Sequence, residues 1–369
     1  MIKVLHFYKT YYPDSFGGIE QVIFQLAEGS AKYDVESTVL SLTQHETCMD
    51  AIVASHKCHR IQADFSVASS PFSLNAMRVF KKLAREADVI HYHFPWPYMD
   101  MVHFLCKVNK PTVVSYHSDI VRQKKLLRLY SPLMHKFMSS VNTIVATSPN
   151  YVATSPVLKK YAEKVRVIPI GIDQAGYVLP SNDALQAWRE KLPERFFLFI
   201  GTLRYYKGLH ILLEANAGNN YPVVIVGSGP IERELQVQAE KLGLKNVFFL
   251  GALEDADKIA LLDLCFAMVF PSHLRSEAFG ISLLEGAMFS KPLISSEIGT
   301  GTSWINIHNE TGIVVPPSDP SALCMAMESL WNNPAQAKIY GEHAYQRYLE
   351  LFTGDKMVSS YVDLYNSLI

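Results

Sequence analysis

The sequence predicts an α/β protein of two doubly wound parallel-sheet domains in tandem. Three observations carry this. Short apolar runs alternate with helix-period segments along the chain, as strands alternate with crossover helices. The alternation breaks once and then restarts. The chain has 369 residues, 49% of them hydrophobic, which exceeds one ordinary domain and supplies two cores.

In the first half the apolar runs place strands at 2–8, 35–42, 89–93, 112–117, 143–147 and 165–168. Helical patterns lie near 19–33, 74–86, 122–139 and 151–161. Ile19, Val22, Ile23, Leu26 and Ala27 form the stripe of a helix packed on a sheet. Glycine, proline and polar residues then cluster from Ile170-Gly-Ile-Asp173 to Pro180-Ser-Asn-Asp183. The second series has strands at 196–201, 222–227, 246–250, 266–270, 292–295 and 312–315. Its helices lie near 208–216, 231–242, 257–264, 281–289 and 321–331. The expected domains are 1–175 and 176–352, with a last helix at about 353–369 crossing back onto the first. Ligands of such sheets bind outside the carboxyl ends of the strands, so the two sheets would face a cleft.

The net charge of −1 hides an asymmetry. Residues 1–177 carry 20 Lys and Arg against 14 Asp and Glu; residues 178–369 carry 14 against 21. A basic first half suits an anionic surface or acceptor. It lacks the basic stripe with interleaved aromatics of a nucleic-acid binder, so no nucleic-acid partner is expected. No apolar run reaches membrane-spanning length, and Met1-Ile-Lys-Val-Leu-His is too short and polar for a signal peptide. Five scattered cysteines fit reduced thiols, and a cytoplasmic protein is expected. His45, Cys48, His56, Cys58 and His59 cluster without the spacing of a zinc finger.

One stretch says most about function: Pro271-Ser-His-Leu-Arg-Ser-Glu-Ala-Phe-Gly-Ile-Ser-Leu-Leu-Glu285, between a strand pattern and a helix pattern. The amides of Phe279, Gly280 and Ile281 would open that helix and face an anion. Glu277 precedes the helix and Glu285 falls on its second turn, so both can point into one crevice. Carboxylates repel an anion, so their partners would be neutral hydroxyls. A ligand with a phosphate and several hydroxyls is a nucleotide sugar. Alternatively, Glu277 caps the helix and Glu285 lies on a solvated face.

Other strand ends add to this. Arg204-Tyr-Tyr-Lys207-Gly208 puts two cations before a helix, suited to a diphosphate or else to a bare surface. Gly17-Gly18 opens a helix after the first strand, as a phosphate approach or a plain turn. Gly227-Ser-Gly229 begins like a dinucleotide fingerprint, but Glu232 stands where the third glycine belongs. Tyr116-His117-Ser-Asp119 ends a strand, where His117 can reach a sugar or an attacking group. His91 and His93 read as structural. Asp255-Ala-Asp257 matches the acid pair of metal-dependent sugar transferases, but its place at a helix start favours capping. Arg122-Gln-Lys-Lys125-Leu-Leu-Arg128-Leu-Tyr130 could lie on an anionic membrane or form a solvated helix face.

Together, Gly17-Gly18, His117, Arg204-x-x-Lys207-Gly208, Gly227-x-Gly229-Pro230 and Glu277-x7-Glu285 resemble the retaining glycosyltransferases of family 4, with the GT-B fold, over the whole chain. The runs His6-Phe-Tyr-Lys-Thr-Tyr-Tyr-Pro-Asp and Pro271-Ser-His-Leu-Arg-Ser-Glu-Ala-Phe-Gly-Ile-Ser look like bacterial mannosyltransferases of lipopolysaccharide O-antigen assembly. The resemblance implies GDP-mannose as donor and a lipid-linked saccharide as acceptor at the inner face of the bacterial inner membrane. It implies that Glu277 binds hydroxyls of the donor sugar and Glu285 those of the ribose. Arg204 and Lys207 would hold the diphosphate, Gly18 would close from the other domain, and His117 would stand by the donor sugar. The segment Glu297-Ile-Gly-Thr-Gly-Thr-Ser303-Trp304 departs from the two glycines and a glutamate of many relatives.

The expected reaction is metal-independent hexosyl transfer, mannosyl by the resemblance, with retention. Arg204, Lys207 and the helix-end amides would stabilise the departing diphosphate. The alternatives are another donor, such as a UDP-sugar, and a sugar-nucleotide epimerase of the same fold.

Overall fold

The computed structural model describes residues 1–45, 49–67, 70–120, 124–219 and 221–369. They form two units: Met1–Gly171 with Gly354–Ile369, and Ile172–Thr353.

The strands of the first unit are β1 (Ile2–Phe7), β2 (Val35–Thr43), β3 (Met49–Val53), β4 (His56–Gln62), β5 (Phe65–Val67), β6 (Ser70–Phe72), β7 (Val89–Phe94), β8 (Thr112–Tyr116), β9 (Thr143–Ala146) and β10 (Val165–Val167). Eight of them make one sheet in the order β10-β9-β8-β7-β1-β2-β4-β3, and β5 pairs with β6 apart from it. All pairs in the large sheet are parallel except β3 with β4. Every residue of β7, β8 and β9 is buried, as helices on both faces of a parallel sheet require. His6 of β1 lies opposite His91 of β7, and His93 lies opposite Ser115 of β8.

The covering helices are α1 (Gly18–Gly29), α2 (Leu74–Glu86), α3 (Pro97–Leu105), α4 (Lys124–Ser140), α5 (Pro149–Thr154) and α6 (Pro156–Lys160). The single helical pattern near 151–161 is split by Ser155, whose hydroxyl accepts the Leu158 amide at 3.4 Å and caps α6. The basic segment at 122–130 starts outside the described residues. Among the described residues no helix is long and apolar enough to cross a membrane.

The second unit holds β11 (Phe197–Ile200), β12 (Val223–Val226), β13 (Val247–Gly251), β14 (Ala267–Phe270), β15 (Leu293–Ser296) and β16 (Gly312–Val315). Their order is β13-β12-β11-β14-β15-β16, all parallel. Before, between and after them run α7 (Asn182–Lys191), α8 (Leu209–Asn216), α9 (Glu232–Lys241), α10 (Asp255–Leu264), α11 (Ile281–Met288), α12 (Thr302–Ile305), α13 (Pro320–Asn332) and α14 (Pro334–Leu351). Phe197, Phe199, Val223, Ile225, Leu212 and Met327 are among the residues that fill the core between sheet and helices. Strand order reverses between β11 and β14, so the loops leaving those two strands flank the point where such sheets bind ligands.

The last helix, α15 (Gly354–Asn366), belongs to the first unit. Tyr361 shares a hydrogen bond with Ser115 at 2.7 Å, and Tyr365 one with His91 at 2.7 Å. At its start Asp355 pairs with Lys32 and accepts from Tyr33 at 2.9 Å.

Candidate active site

At the switch point of the second unit, the loops after β11 and β14 are pinned together. Gly208 has φ +72°, and a Cβ there would lie 2.0 Å from the Pro271 carbonyl oxygen. Only glycine allows both the conformation and the approach. The His273 amide donates to Tyr206 O at 3.0 Å, and its Nε2 donates to Tyr205 O at 3.1 Å. Burial lowers the pKa of His273, and the hydrogen bond to the Tyr205 carbonyl opposes that shift only in part.

This seam brings Lys207 to Glu277. The buried ammonium donates to Glu277 Oε2, and Ser272 donates to the same oxygen at 3.2 Å. The ammonium also lies over the rings of Phe270 and Tyr206, 4.8 and 5.5 Å from their centroids. Among the described residues nothing hydrogen-bonds to Glu277 Oε1. Glu277 is therefore not a helix cap: α11 starts from Gly280, at φ +104°, with no side-chain cap. Among the described residues the amides of Phe279, Gly280 and Ile281 make no backbone hydrogen bond and remain available as donors. Arg204 is exposed and has no side-chain partner among the described residues.

Glu285 is buried, which removes the solvated-face alternative. Tyr177 donates to its Oε1 at 2.7 Å, and Lys258 approaches the same oxygen at 3.3 Å. Burial pulls the Lys258 pKa down, but Glu285 and Asp255 outweigh it and the net shift is upward. Asp255 and Asp257 fall in the first turn of α10, where they complement the helix dipole. Neither is a side-chain cap: Asp255 pairs with Lys258 at 3.0 Å, and Asp257 accepts the Trp188 indole N–H at 2.8 Å.

Packing accounts for Gly227 and Gly229. A Cβ on Gly227 would lie 2.1 Å from Gly201 O, and one on Gly229 would lie 2.4 Å from Leu203 O. The Glu297–Trp304 segment folds on itself and onto the Glu277 loop. Glu297 accepts from the Gly299 amide at 2.8 Å and from Ser303 at 2.9 Å. Arg275 donates to Gly299 O at 2.9 Å, and the Gly301 amide donates to Ala278 O at 2.9 Å.

In the first unit, Gly17 is the N-cap of α1 and Gly18 its first residue. Buried Glu20 reaches back along this start, where Thr10 donates to it at 2.8 Å. His117 follows β8, buried, with its pKa lowered to about 3 by burial. Its Nε2 shares a hydrogen bond with His93 Nδ1 at 3.0 Å. His91 is structural: its nitrogens face Tyr365 and Ser115, each at 2.7 Å. Asp119 accepts from Tyr116 at 2.9 Å and from Ser155 at 2.7 Å.

Ser272, Tyr177, Lys258, His93 and Glu20 escape sequence reasoning. Only Ser272 had a local signal, being two residues past the strand in the run that contains Glu277. The histidine cluster around residues 45–59 is partly outside the described residues, since Cys48 is not among them. His56 is held by Tyr11 at 2.9 Å and by Glu28. Among the described residues the one grouping of possible metal ligands is His6, His91 and His93.

Comparison with known proteins fits this architecture. Residues 16–175 match the profile of glycosyltransferase family 4, and residues 181–347 that of glycosyl transferases group 1. The chain is 59% identical to the D-rhamnosyltransferase WbpZ of Pseudomonas aeruginosa over 352 residues, 95% of this chain and 92% of that one. It is 50% identical to the O-antigen chain mannosyltransferase C of Escherichia coli over 368 residues, 100% and 99% of the two chains. In fold it is similar to sucrose-phosphate synthase from Thermosynechococcus elongatus, with TM-score 0.82 at 20% identity, covering 100% of this chain and 99% of that one. It is likewise similar to Anabaena Alr3699/HepE, solved with UDP and glucose, with TM-score 0.78 at 19% identity and full coverage of both chains. Two Rossmann-like units, the residues at their strand ends and near-full-length identity to two sugar transferases lead to one conclusion: this chain is a glycosyltransferase of family 4, with the GT-B fold.

Proposed function

We propose that the enzyme transfers a mannosyl group from GDP-mannose to a hydroxyl of a lipid-linked saccharide in O-antigen assembly, with retention and without a metal. The observation that carries this reading is the Lys207–Glu277 pair at the switch point, on the same two loops as Arg204 and the amides of Phe279, Gly280 and Ile281, which have no partner among the described residues. A nucleotide sugar fits these groups one by one. Its diphosphate goes to Arg204, Lys207 and the amides of Phe279, Gly280 and Ile281. Its sugar hydroxyls go to Glu277 Oε1, and its ribose hydroxyls to Glu285, which Tyr177 and Lys258 hold in place. Gly17 and Gly18 admit a phosphate or sugar close to the backbone in the first unit, and His117 contacts the donor sugar.

The chemistry is electrostatic. As the bond to the diphosphate breaks, the leaving group gains charge, and fixed cations and N–H groups stabilise that charge without reorganising. In this reading, the cations fill the place a metal would take. The near-full-length O-antigen mannosyltransferase relative supports the mannosyl donor and the lipopolysaccharide setting. The D-rhamnosyltransferase relative favours a second reading, a D-rhamnosyl donor. D-rhamnose is mannose without the hydroxyl at C6, so the two readings differ by a single hydroxyl. The named relatives favour transfer over epimerisation.

The deciding experiment is a donor panel of GDP-mannose, GDP-D-rhamnose and UDP-glucose against lipid-linked acceptors, with anomeric configuration read by NMR. GDP-mannose turnover giving an α-linked product is expected. Preference for GDP-D-rhamnose would replace the sugar assignment, and an inverted product would overturn retention. Peripheral membrane contact through the basic first half is tested separately. Binding to anionic vesicles that ignores salt would count against an electrostatic attachment.

A further inference from the structure

The first unit holds a row of imidazoles that extends inward from His117. His117 Nε2 and His93 Nδ1 share one hydrogen bond at 3.0 Å, and His93 Nε2 and His6 Nδ1 share the next at 3.2 Å. The rings are nearly parallel, at 13° for His93 with His117 and 24° for His6 with His93. His6 and His93 are fully buried. The row ends inward at His6 Nε2, a buried atom with no hydrogen-bond partner among the described residues. Its outer end, His117 Nδ1, also has no partner among the described residues, on a residue that keeps 7% of its surface exposed.

A neutral imidazole carries one N–H and one lone pair. Two shared bonds in series therefore allow just two arrangements. In the first, every Nδ1 is protonated: His6 donates to His93, His93 donates to His117, and His117 presents Nδ1–H outward. In the second, every Nε2 is protonated, His117 donates inward, and its outer Nδ1 is a bare lone pair. The arrangements differ in cost at the inner end, where the second buries an orphan N–H and the first an orphan lone pair. Among backbone groups a buried N–H without a partner is rarer than an under-satisfied acceptor, and the same cost of stripping water from a donor favours the first arrangement.

We propose that His93 and His6 are positioning residues that fix His117 as its Nδ1–H tautomer, so that it meets the substrate as a hydrogen-bond donor and not as a base. The partner it suits is an oxygen of the donor sugar. His91 stays outside the row because Tyr365 and Ser115 occupy both its nitrogens. The same contacts speak against a metal. Nitrogens of His6, His91 and His93 lie within 4.8 Å of one another, but hydrogen bonds already engage both nitrogens of His91 and of His93. The catalytic consequence rests on the reading of His117 as a sugar contact; the tautomer does not.

Long-range proton–nitrogen NMR of the full chain, labelled at histidine, reads the protonated nitrogen directly. Wild-type His117 should appear as Nδ1–H. His6→Leu should shift it towards a mixture of tautomers, and His6→Asn, whose amide can donate where Nδ1 did, should restore it. Wild-type His117 found as Nε2–H, or unchanged by His6→Leu, overturns the proposal. So does one equivalent of zinc in the purified protein that is lost in His6→Leu. Turnover of GDP-mannose adds a second readout. His93→Asn can keep the link to His117, whereas His93→Gln can keep only the link to His6. The Gln variant should lose about tenfold or more in kcat relative to the Asn variant, at similar melting temperature. Equal losses would overturn the positioning role. A wild-type enzyme inactive on GDP-mannose would instead count against the donor assignment, and the NMR result would still stand.

Discussion

Lys207 donates its ammonium to the Glu277 carboxylate, joining the loops that leave β11 and β14. Both side chains are 11% exposed, so the charges are largely withdrawn from water and depend on each other. Removing one partner of such a pair costs about 3–5 kcal/mol, because the other charge is left uncompensated. Glu277→Leu should therefore lower the unfolding free energy by about 3 kcal/mol, and Lys207→Met in the same chain should recover most of it. Urea unfolding of the two single variants and the double variant checks this. Glu277→Gln should keep the fold and lose about a hundredfold in transfer. If its activity fell only in step with its stability, the role would be structural.

Arg204 gives the opposite pattern. It is exposed and makes no ion pair among the described residues, so Arg204→Ala should change stability by no more than about 0.5 kcal/mol. The transfer rate should drop by about 10²–10³, since one charged contact to the leaving group is lost. Single-turnover kinetics at saturating donor is the measurement, and a near-wild-type rate would remove Arg204 from the diphosphate.

Gly208→Ala tests the seam between the two loops. The new Cβ meets a backbone oxygen at 2.0 Å and requires φ +72°, so neither loop can yield locally. The variant should lose more than about 1 kcal/mol of stability and most of its activity. Gly243→Ala is the control: it also has positive φ, but nothing lies within 4 Å of its Cβ, so it should cost less and spare activity.

Chelation tests the metal question. With cations already at the switch point, EDTA should leave the transfer rate unchanged. A loss restored by manganese or magnesium would bring Asp255 and Asp257 back into consideration.

Stability should also depend on pH in a defined direction. Burial pushes His6 and His117 down to about 3, and it holds His91 and His93 well below their ordinary 6.5. These rings stay neutral in the fold and take up protons once unfolded. Stability is then whole above pH 6.5 and is lost progressively as pH falls from there towards 3. Each ring can contribute up to about 1.4 kcal/mol per pH unit. Asp100 opposes them, since burial raises its pKa and favours the fold at low pH, but it is one group against four. The urea midpoint should hold from pH 8 to 7 and fall from pH 6.5 to 5. A flat profile to pH 5 would refute it.

Most elements were legible because both sheets are covered on both faces, which writes their strands as continuous apolar runs. The β3–β4 hairpin was not, because His56-Lys-Cys-His-Arg-Ile-Gln62 is mostly polar and buries only His56, Cys58 and Ile61, so no continuous apolar run marks it. The short α3 was also missed: it begins with proline and buries Asp100 and His103, which hide its apolar face. In the site, Glu277, Lys207 and Arg204 could be named from their positions at strand ends. What the sequence could not separate was an acid that caps a helix from one that pairs with a cation 70 residues earlier. That distinction is a contact between two loops, and local pattern carries no information about it. The histidine row was hidden for the same reason, since two strands and the residue after a third supply it.

The return of α15 to the first unit sets an order of birth. Tyr361 and Tyr365 complete the hydrogen bonds of Ser115 and His91 deep in the first sheet. A growing chain presents those tyrosines only after residues 172–353 have emerged. The second unit is contiguous and can close on the ribosome, whereas the first must wait for α15. A nascent chain stalled before Gly354 would therefore carry a finished second unit beside a first sheet whose inner polar groups lack their last partners.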